Sequence, residues 1–210
     1  MGKMQQQTMP DNSVVRERLL EEALGLFTAK GYAAASVREI VAAAGVTKPV
    51  LYYYFGSKEG LYLEIMAGIS NLLDQRIKEL QQSGGPVRQR LLAFFSRLFT
   101  GARENIPAVR LAYAIYYGPP QGAPFIDFNR FYDAILDMVA TLVAEGVQSG
   151  EFRPVDRNAL AWALVGCHST IMEEQICREA PRIGHDGLLS AIGLILDGAA
   201  SKNSAAKELS

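Results

Sequence analysis

Apolar residues recur every three or four positions through most of this chain, and almost nowhere do they alternate as they would along a strand. Leu19, Leu20, Ala23, Leu24 and Phe27 share one face of a helix expected over about 14–30, with Gly31 as its stop. Val37, Ile40, Val41 and Ala44 line a second, short helix. Ser36 and Glu39 at its start match a capping box, in which each side chain satisfies a free amide. Gly45 ends that helix and permits a sharp turn. A third helix takes Thr47 as its N-cap and tolerates Pro49 in its first turn, where an amide has no helical partner to lose. It ends near Phe55 and Gly56. Ser57 then caps a long fourth helix, with Glu59 near its positive end, and Ser83-Gly84-Gly85-Pro86 breaks it after about Gln82.

Five more helices are expected, over about 87–104, 108–117, 125–149, 157–179 and 186–200. Gly118-Pro119-Pro120, Gly150 with Pro154, and Pro181 punctuate them. The fold class is therefore all-α, with about nine helices and no sheet.

Composition narrows the setting. The chain has 210 residues, 49 % of them apolar, which describes a soluble globular protein with room for one domain or two small ones. No apolar run approaches the roughly 18 residues of a membrane span. The opening MGKMQQQTMPDNS lacks a signal peptide's apolar stretch, and Gln6 breaks the myristoylation pattern. A cytoplasmic protein without membrane contact is expected. Cys167 and Cys177 fall on one expected helix, roughly 15 Å of rise apart, too far to bridge each other. The net charge is −1, and residues 1–60 carry seven bases against six acids. Any affinity for nucleic acid must come from where those bases point, and not from a bulk field.

Residues 36–55 supply such a placement. Two short helices joined by a glycine turn, the second rich in tyrosine and flanked by lysines, outline a helix-turn-helix whose second helix enters the DNA major groove. Val46, Leu51 and Phe55 have the spacing of its buried side. That leaves Lys48, Val50, Tyr52, Tyr53 and Tyr54 toward DNA, since three consecutive tyrosines cannot all face a core when each position turns by about 100°. Phenol hydroxyls suit phosphate oxygens, Lys48 a base edge or phosphate, and Val50 a thymine methyl. Thr47, at the helix start, joins the candidates.

The stretch from Leu19 to Leu61 reads LFTAKGY, then SVREIVAAAGVTKPVLYYYF, then GSKEGL, and it resembles the tetracycline-repressor (TetR) family of bacterial transcriptional regulators. AGVT, LYYYF and SKEGL at fixed offsets are more specific than a lone helix-turn-helix pattern, although they cover only about a quarter of the chain. EGVQSGEFRPVD, from Glu145 to Asp156, is a softer match to a turn between C-terminal helices. The resemblance implies that Tyr52 and Lys58 contact the DNA backbone, that Lys48, Val50 and Tyr53 read bases, and that Ser36 and Arg38 contact phosphate, with Arg16 a weaker candidate. It also implies that the C-terminal helices form a ligand pocket and a dimer interface. The expected division is a flexible segment over 1–13, a DNA-binding domain over 14–60, a ligand-binding and dimerisation domain over 61–200, and a flexible tail over 201–210.

The C-terminal helices carry a heavy aromatic load, most of it at the spacing of core residues. Phe94, Phe95, Phe99, Tyr113, Tyr117, Phe128, Phe131, Trp162 and His168 are the candidates for a ring-lined small-molecule pocket, with Asn129 a further polar tip. Leu160, Leu164, Cys167 and Ile171, with Leu188, Ile192 and Leu196, recur at heptad-like spacing and are expected to form a dimer seam. No metal site, cofactor or catalytic constellation stands out. The expected function is a homodimeric repressor on a palindromic double-stranded DNA operator, released by a small hydrophobic or aromatic effector. A ligand-independent or activating regulator is the alternative. A small helical enzyme or carrier is the remote one.

Overall fold

The computed structural model describes residues 12–118 and 122–201, and these form nine helices: α1 Asn12–Ala34, α2 Val37–Ala43, α3 Lys48–Phe55, α4 Lys58–Gln82, α5 Val87–Glu104, α6 Ile106–Tyr117, α7 Phe128–Gln148, α8 Arg157–Cys177 and α9 His185–Ala199. Apart from Asn12, Ser13 and Ser201, the segments expected to be flexible lie outside the described residues. Two compact units are present, Met1–Ile69 with Arg110–Ile126 and Ser70–Val109 with Asp127–Ser210, so the division falls inside α4 and inside α6.

In the first unit, Leu19, Ala23 and Phe27 of α1, Ile40 and Val41 of α2, Leu51 of α3, and Leu61 and Tyr62 of α4 are buried. Helical dihedrals in α1 fail at Gly31, whose φ of 81° lies where side chains with a Cβ are strained. The rings of Phe27, Tyr32 and Tyr62 stack with centroids 5.0–5.9 Å apart. Burial pushes the Tyr62 phenol up to about 12. α2 has its capping box: Ser36 Oγ accepts from Glu39 N–H, and Glu39 Oε2 accepts from Ser36 N–H at 2.9 Å.

In the second unit, α5, α7, α8 and α9 bury a shared core that includes Leu91, Phe95, Phe99, Val139, Val143, Leu164, Leu188, Ile192 and Leu196. The turn after α7 organises it. Phe152 donates its N–H to Gly146 O at 2.9 Å, and its ring lies so close that a Cβ on Gly146 would stand 2.4 Å from it. Glu151 accepts from the Val87 and Arg88 amides, both at 2.7 Å, and so caps α5, whose own N-cap, Pro86, has no side-chain acceptor.

Helices α1 and α6 run two to four residues beyond their expected spans, and α7 and α8 fall short of theirs. α7 starts at Phe128 rather than near Phe125, because Asp127 accepts from Arg130 N–H as N-cap and fixes the start there. α8 stops at Cys177, where Arg178 turns extended. Glu174 accepts from the Arg182 amide and guanidinium and from Arg178. Those bonds, the Arg182 side chain's foremost, hold its carboxyl down to about 2.

Candidate nucleic-acid interface

The glycine turn at Gly45 (φ 62°) delivers the chain from α2 to Thr47, which takes the extended conformation of an N-cap. Unlike Ser36, Thr47 makes no side-chain capping bond. α3 then divides along its length. Leu51 and Phe55, four residues apart, are buried, while Lys48 and Tyr52, also four apart, lie exposed on another face. Tyr52 is 47 % and Tyr53 77 % exposed. Val50 and Tyr54 are half-buried, and the Tyr54 ring meets Tyr53 edge-on at 5.0 Å. Val46, expected on the buried side, is half-buried as well. The exposed set thus offers an ammonium and phenols together, groups suited to phosphate oxygens and base edges.

The flanking candidates are disposed differently. Arg38 is exposed. Ser36 is exposed too, yet its hydroxyl serves the capping box and also donates to Glu39 Oε2 at 2.6 Å. Glu39 further pairs with Lys30, and that hydrogen bond is the main reason its carboxyl is held down to about 2. Lys58 turns inward. Its Nζ donates to Tyr32 O at 2.9 Å and to Ala35 O at 3.0 Å and sits 4.1 Å from the Tyr32 ring centroid. That ammonium buckles the start of α4 to the end of α1, a use that sequence pattern alone does not reveal. Arg16 pairs with Glu64 and lies over the Phe55 ring.

The nine pocket candidates are divided between the two units. Phe94, Phe95, Phe99 and His168 are buried in the second unit, with His168 5.6 Å from the Phe95 ring. His168 Nε2 is buried without a hydrogen-bond partner, and burial pushes the imidazole pKa down to about 4. Tyr113 and Tyr117 belong to the first unit, their rings 5.7 Å apart, and Tyr117 is 69 % exposed. Phe128 and Phe131 are half-buried neighbours at 6.2 Å, and Asn129 is exposed. Trp162, expected to line a pocket, is 57 % exposed and rests on Tyr132.

Most residues of the expected dimer seam face inward in the protomer. Leu164, Ile171, Leu188, Ile192 and Leu196 are buried in the protomer's own core, and Leu160 and Cys167 pack half-buried against it. Heptad-like spacing marks the inward face of a helix as readily as a partner-facing one. The outward side of α8 instead presents Ala159, Trp162, Ala163, Thr170 and Glu173, with Gly166 half-buried among them, and α9 presents Leu194 at 71 % exposure. Cys167 is half-buried, with burial raising its thiol pKa, and Cys177 is exposed; both are free thiols. Among the described residues no group of three His, Cys, Asp or Glu side chains gathers as a metal site, and no helix is long and apolar enough to cross a membrane.

Comparison with known proteins bears directly on this geometry. Residues 19–65 match the family model of bacterial regulatory proteins of the tetR family, and residues 87–186 match the tetracyclin repressor-like C-terminal domain. The HTH-type transcriptional repressor KstR2 of Rhodococcus jostii is 32 % identical over 142 residues, 66 % of this chain and 68 % of that protein. The HTH-type transcriptional activator FasR of Mycolicibacterium smegmatis is 29 % identical over 167 residues, 69 % of this chain and 76 % of its own. Among solved structures, the TetR family transcriptional regulator PfmR of Thermus thermophilus superposes with a TM-score of 0.68 at 27 % identity, covering 86 % of this chain and 97 % of that one.

Proposed function

This chain belongs to the tetR family of bacterial DNA-binding transcriptional regulators, and from that premise we propose that it is a homodimeric repressor that leaves a palindromic operator when a small hydrophobic or aromatic effector binds. It is a regulator and not an enzyme. The observation that carries the reading is the division of α3, anchored by Leu51 and Phe55 while Lys48, Tyr52 and Tyr53 stand free of the core. In this reading Lys48, Val50 and Tyr53 read bases. Thr47, Tyr52, Tyr54, Ser36 and Arg38 hold phosphates, and Lys58 acts by holding α4 in place. Residues 14–60 form the DNA-binding domain and residues 61–200 the effector and dimerisation domain, in the bacterial cytoplasm.

Dimerisation uses the outward side of α8 with α9, where Ala159, Ala163 and Gly166 allow close approach and Trp162 and Leu194 supply apolar area. Two-fold symmetry then sets two α3 helices on half-sites about 34–36 Å apart or a multiple of this. The effector acts by population shift: it binds better to a conformer whose α4 is displaced and whose α3 helices stand at the wrong separation. Converting a 99:1 preference to 1:99 takes about 5.5 kcal/mol of differential binding. Activation is the second reading, because FasR is named an activator.

The test is binding to a DNA fragment carrying the gene's own upstream region, at two salt concentrations, by the wild type and by a Lys48→Ala/Tyr52→Ala double variant. Tight, salt-sensitive binding by the wild type and a loss of about a hundredfold or more in the variant is the expected result. Weak and equal binding by the two proteins overturns the assignment of α3.

A further inference from the structure

A cleft of about 240 Å³ lies between the end of α4 and α5, within the second unit. Three arginines line it. Arg76 comes from α4, and Arg90 and Arg97, two helical turns apart, come from one side of α5. Leu80, Ala93 and Phe94 supply an apolar wall.

The charges do not balance. Arg90, nine-tenths buried, is matched by Glu145. Arg76 and Arg97 must share Glu79, the one carboxylate among the described residues that line the cleft. Glu79 Oε2 accepts from Arg76 Nη1 at 2.9 Å but stays 3.6 Å from Arg97 Nη1, and its other oxygen accepts from Gln75 at 3.0 Å. Hydrogen bonding from Arg76 is the chief reason the Glu79 carboxyl is held below its ordinary value. Donors exceed acceptors as well: Arg76 Nε is buried with no acceptor. The Arg76–Glu79 pair lies within α4, and the longer Arg97–Glu79 contact alone crosses to α5, so two guanidiniums face one carboxylate. Planar guanidinium groups match carboxylates through paired hydrogen bonds, and the adjoining wall is apolar. The volume lies just below the roughly 300–1,000 Å³ of pockets for drug-sized ligands, which restricts the occupant to a small molecule.

We propose that this cleft binds a small organic acid, its carboxylate on Arg97 and Arg76 and its apolar body against Leu80, Ala93 and Phe94. This goes beyond the regulator reading and requires no DNA.

The experiment follows the arginine Nε–H signals of the full chain by ¹⁵N-resolved NMR during titration with benzoate, its neutral isostere benzamide, and inorganic phosphate. Benzoate is expected to shift the Arg76 and Arg97 signals saturably while benzamide leaves them unmoved. Arg97→Gln, a substitution at a side chain 60 % exposed and so harmless to folding, weakens benzoate about tenfold or more. Arg76→Gln serves as the second variant. An equal response to benzamide, unchanged affinity in both variants, or phosphate binding as tight as benzoate overturns the proposal. Operator binding measured on the same samples separates the two readings, since a silent cleft in a protein that binds DNA defeats only this one.

Discussion

α3 and α8 both bury an apolar stripe, and they dispose of their remaining surface in opposite ways. α3 is eight residues long, spends Leu51 and Phe55 on anchorage, and turns large phenols and an ammonium outward. α8 is 21 residues long, keeps Leu164, Val165, Ile171 and Met172 for its own unit, and turns small residues outward around a single Trp162. Long polar side chains outside suit a ligand that offers phosphates and base edges at a distance. Small residues outside suit a partner backbone that comes close. Size on the exposed side, rather than apolarity on the buried side, separates the two surfaces.

Truncation breaks the contrast most sharply. Leu164→Ala is expected to cost about 2–5 kcal/mol in denaturant unfolding, because it opens a cavity in a closed core. Tyr53→Ala on α3 is expected to stay within about 0.5 kcal/mol while weakening operator binding. Equal unfolding costs would show that Tyr53 is part of a core after all. Next in size is the pH response of α8. Buried His168 titrates near 4 when folded and near 6.5 when unfolded, so between those values the unfolded chain binds the extra proton. Stability falls as pH drops through that window, by up to about 3 kcal/mol. His168→Leu removes this slope and should leave the variant the more stable protein at pH 5; parallel pH profiles would refute it. The smallest effect on the protomer belongs to Ala163→Arg, at an exposed position. Its unfolding is expected to change by about 0.5 kcal/mol or less, yet sedimentation should find monomer where the wild type is dimer. A dimer that survives would move the interface elsewhere.

How much the sequence disclosed follows the same contrast. In the first unit the signals are local: Ser36 with Glu39, Gly45, Thr47 with Pro49, and Gly56 each act within a few residues, and α3 is legible to its ends. α5 is legible to its ends as well, from Pro86 to Glu104. What sequence pattern could not separate was inward from outward on α8 and α9, since Leu188, Ile192 and Leu196 have a period that both faces share. Nor does spacing reveal partners far apart in the chain. Lys58 reaches back 26 residues to Tyr32, and this use of its ammonium has no local signature. Trp162 shows the converse, a ring that composition places inside and packing leaves out.

The Glu151 cap on α5 has a consequence in time. The carboxylate that closes the amide end of this helix is encoded 64 residues after Val87. At a synthesis rate of ~5–20 residues per second, α5 waits roughly 3–13 s for it. Within that interval Phe94, Phe95 and Phe99 are made before α7, and α8 and α9, which complete their cover, follow only after Glu151. The core of the second unit therefore closes only with residues encoded after Glu151. The helix proposed to read DNA, α3, is by then long finished.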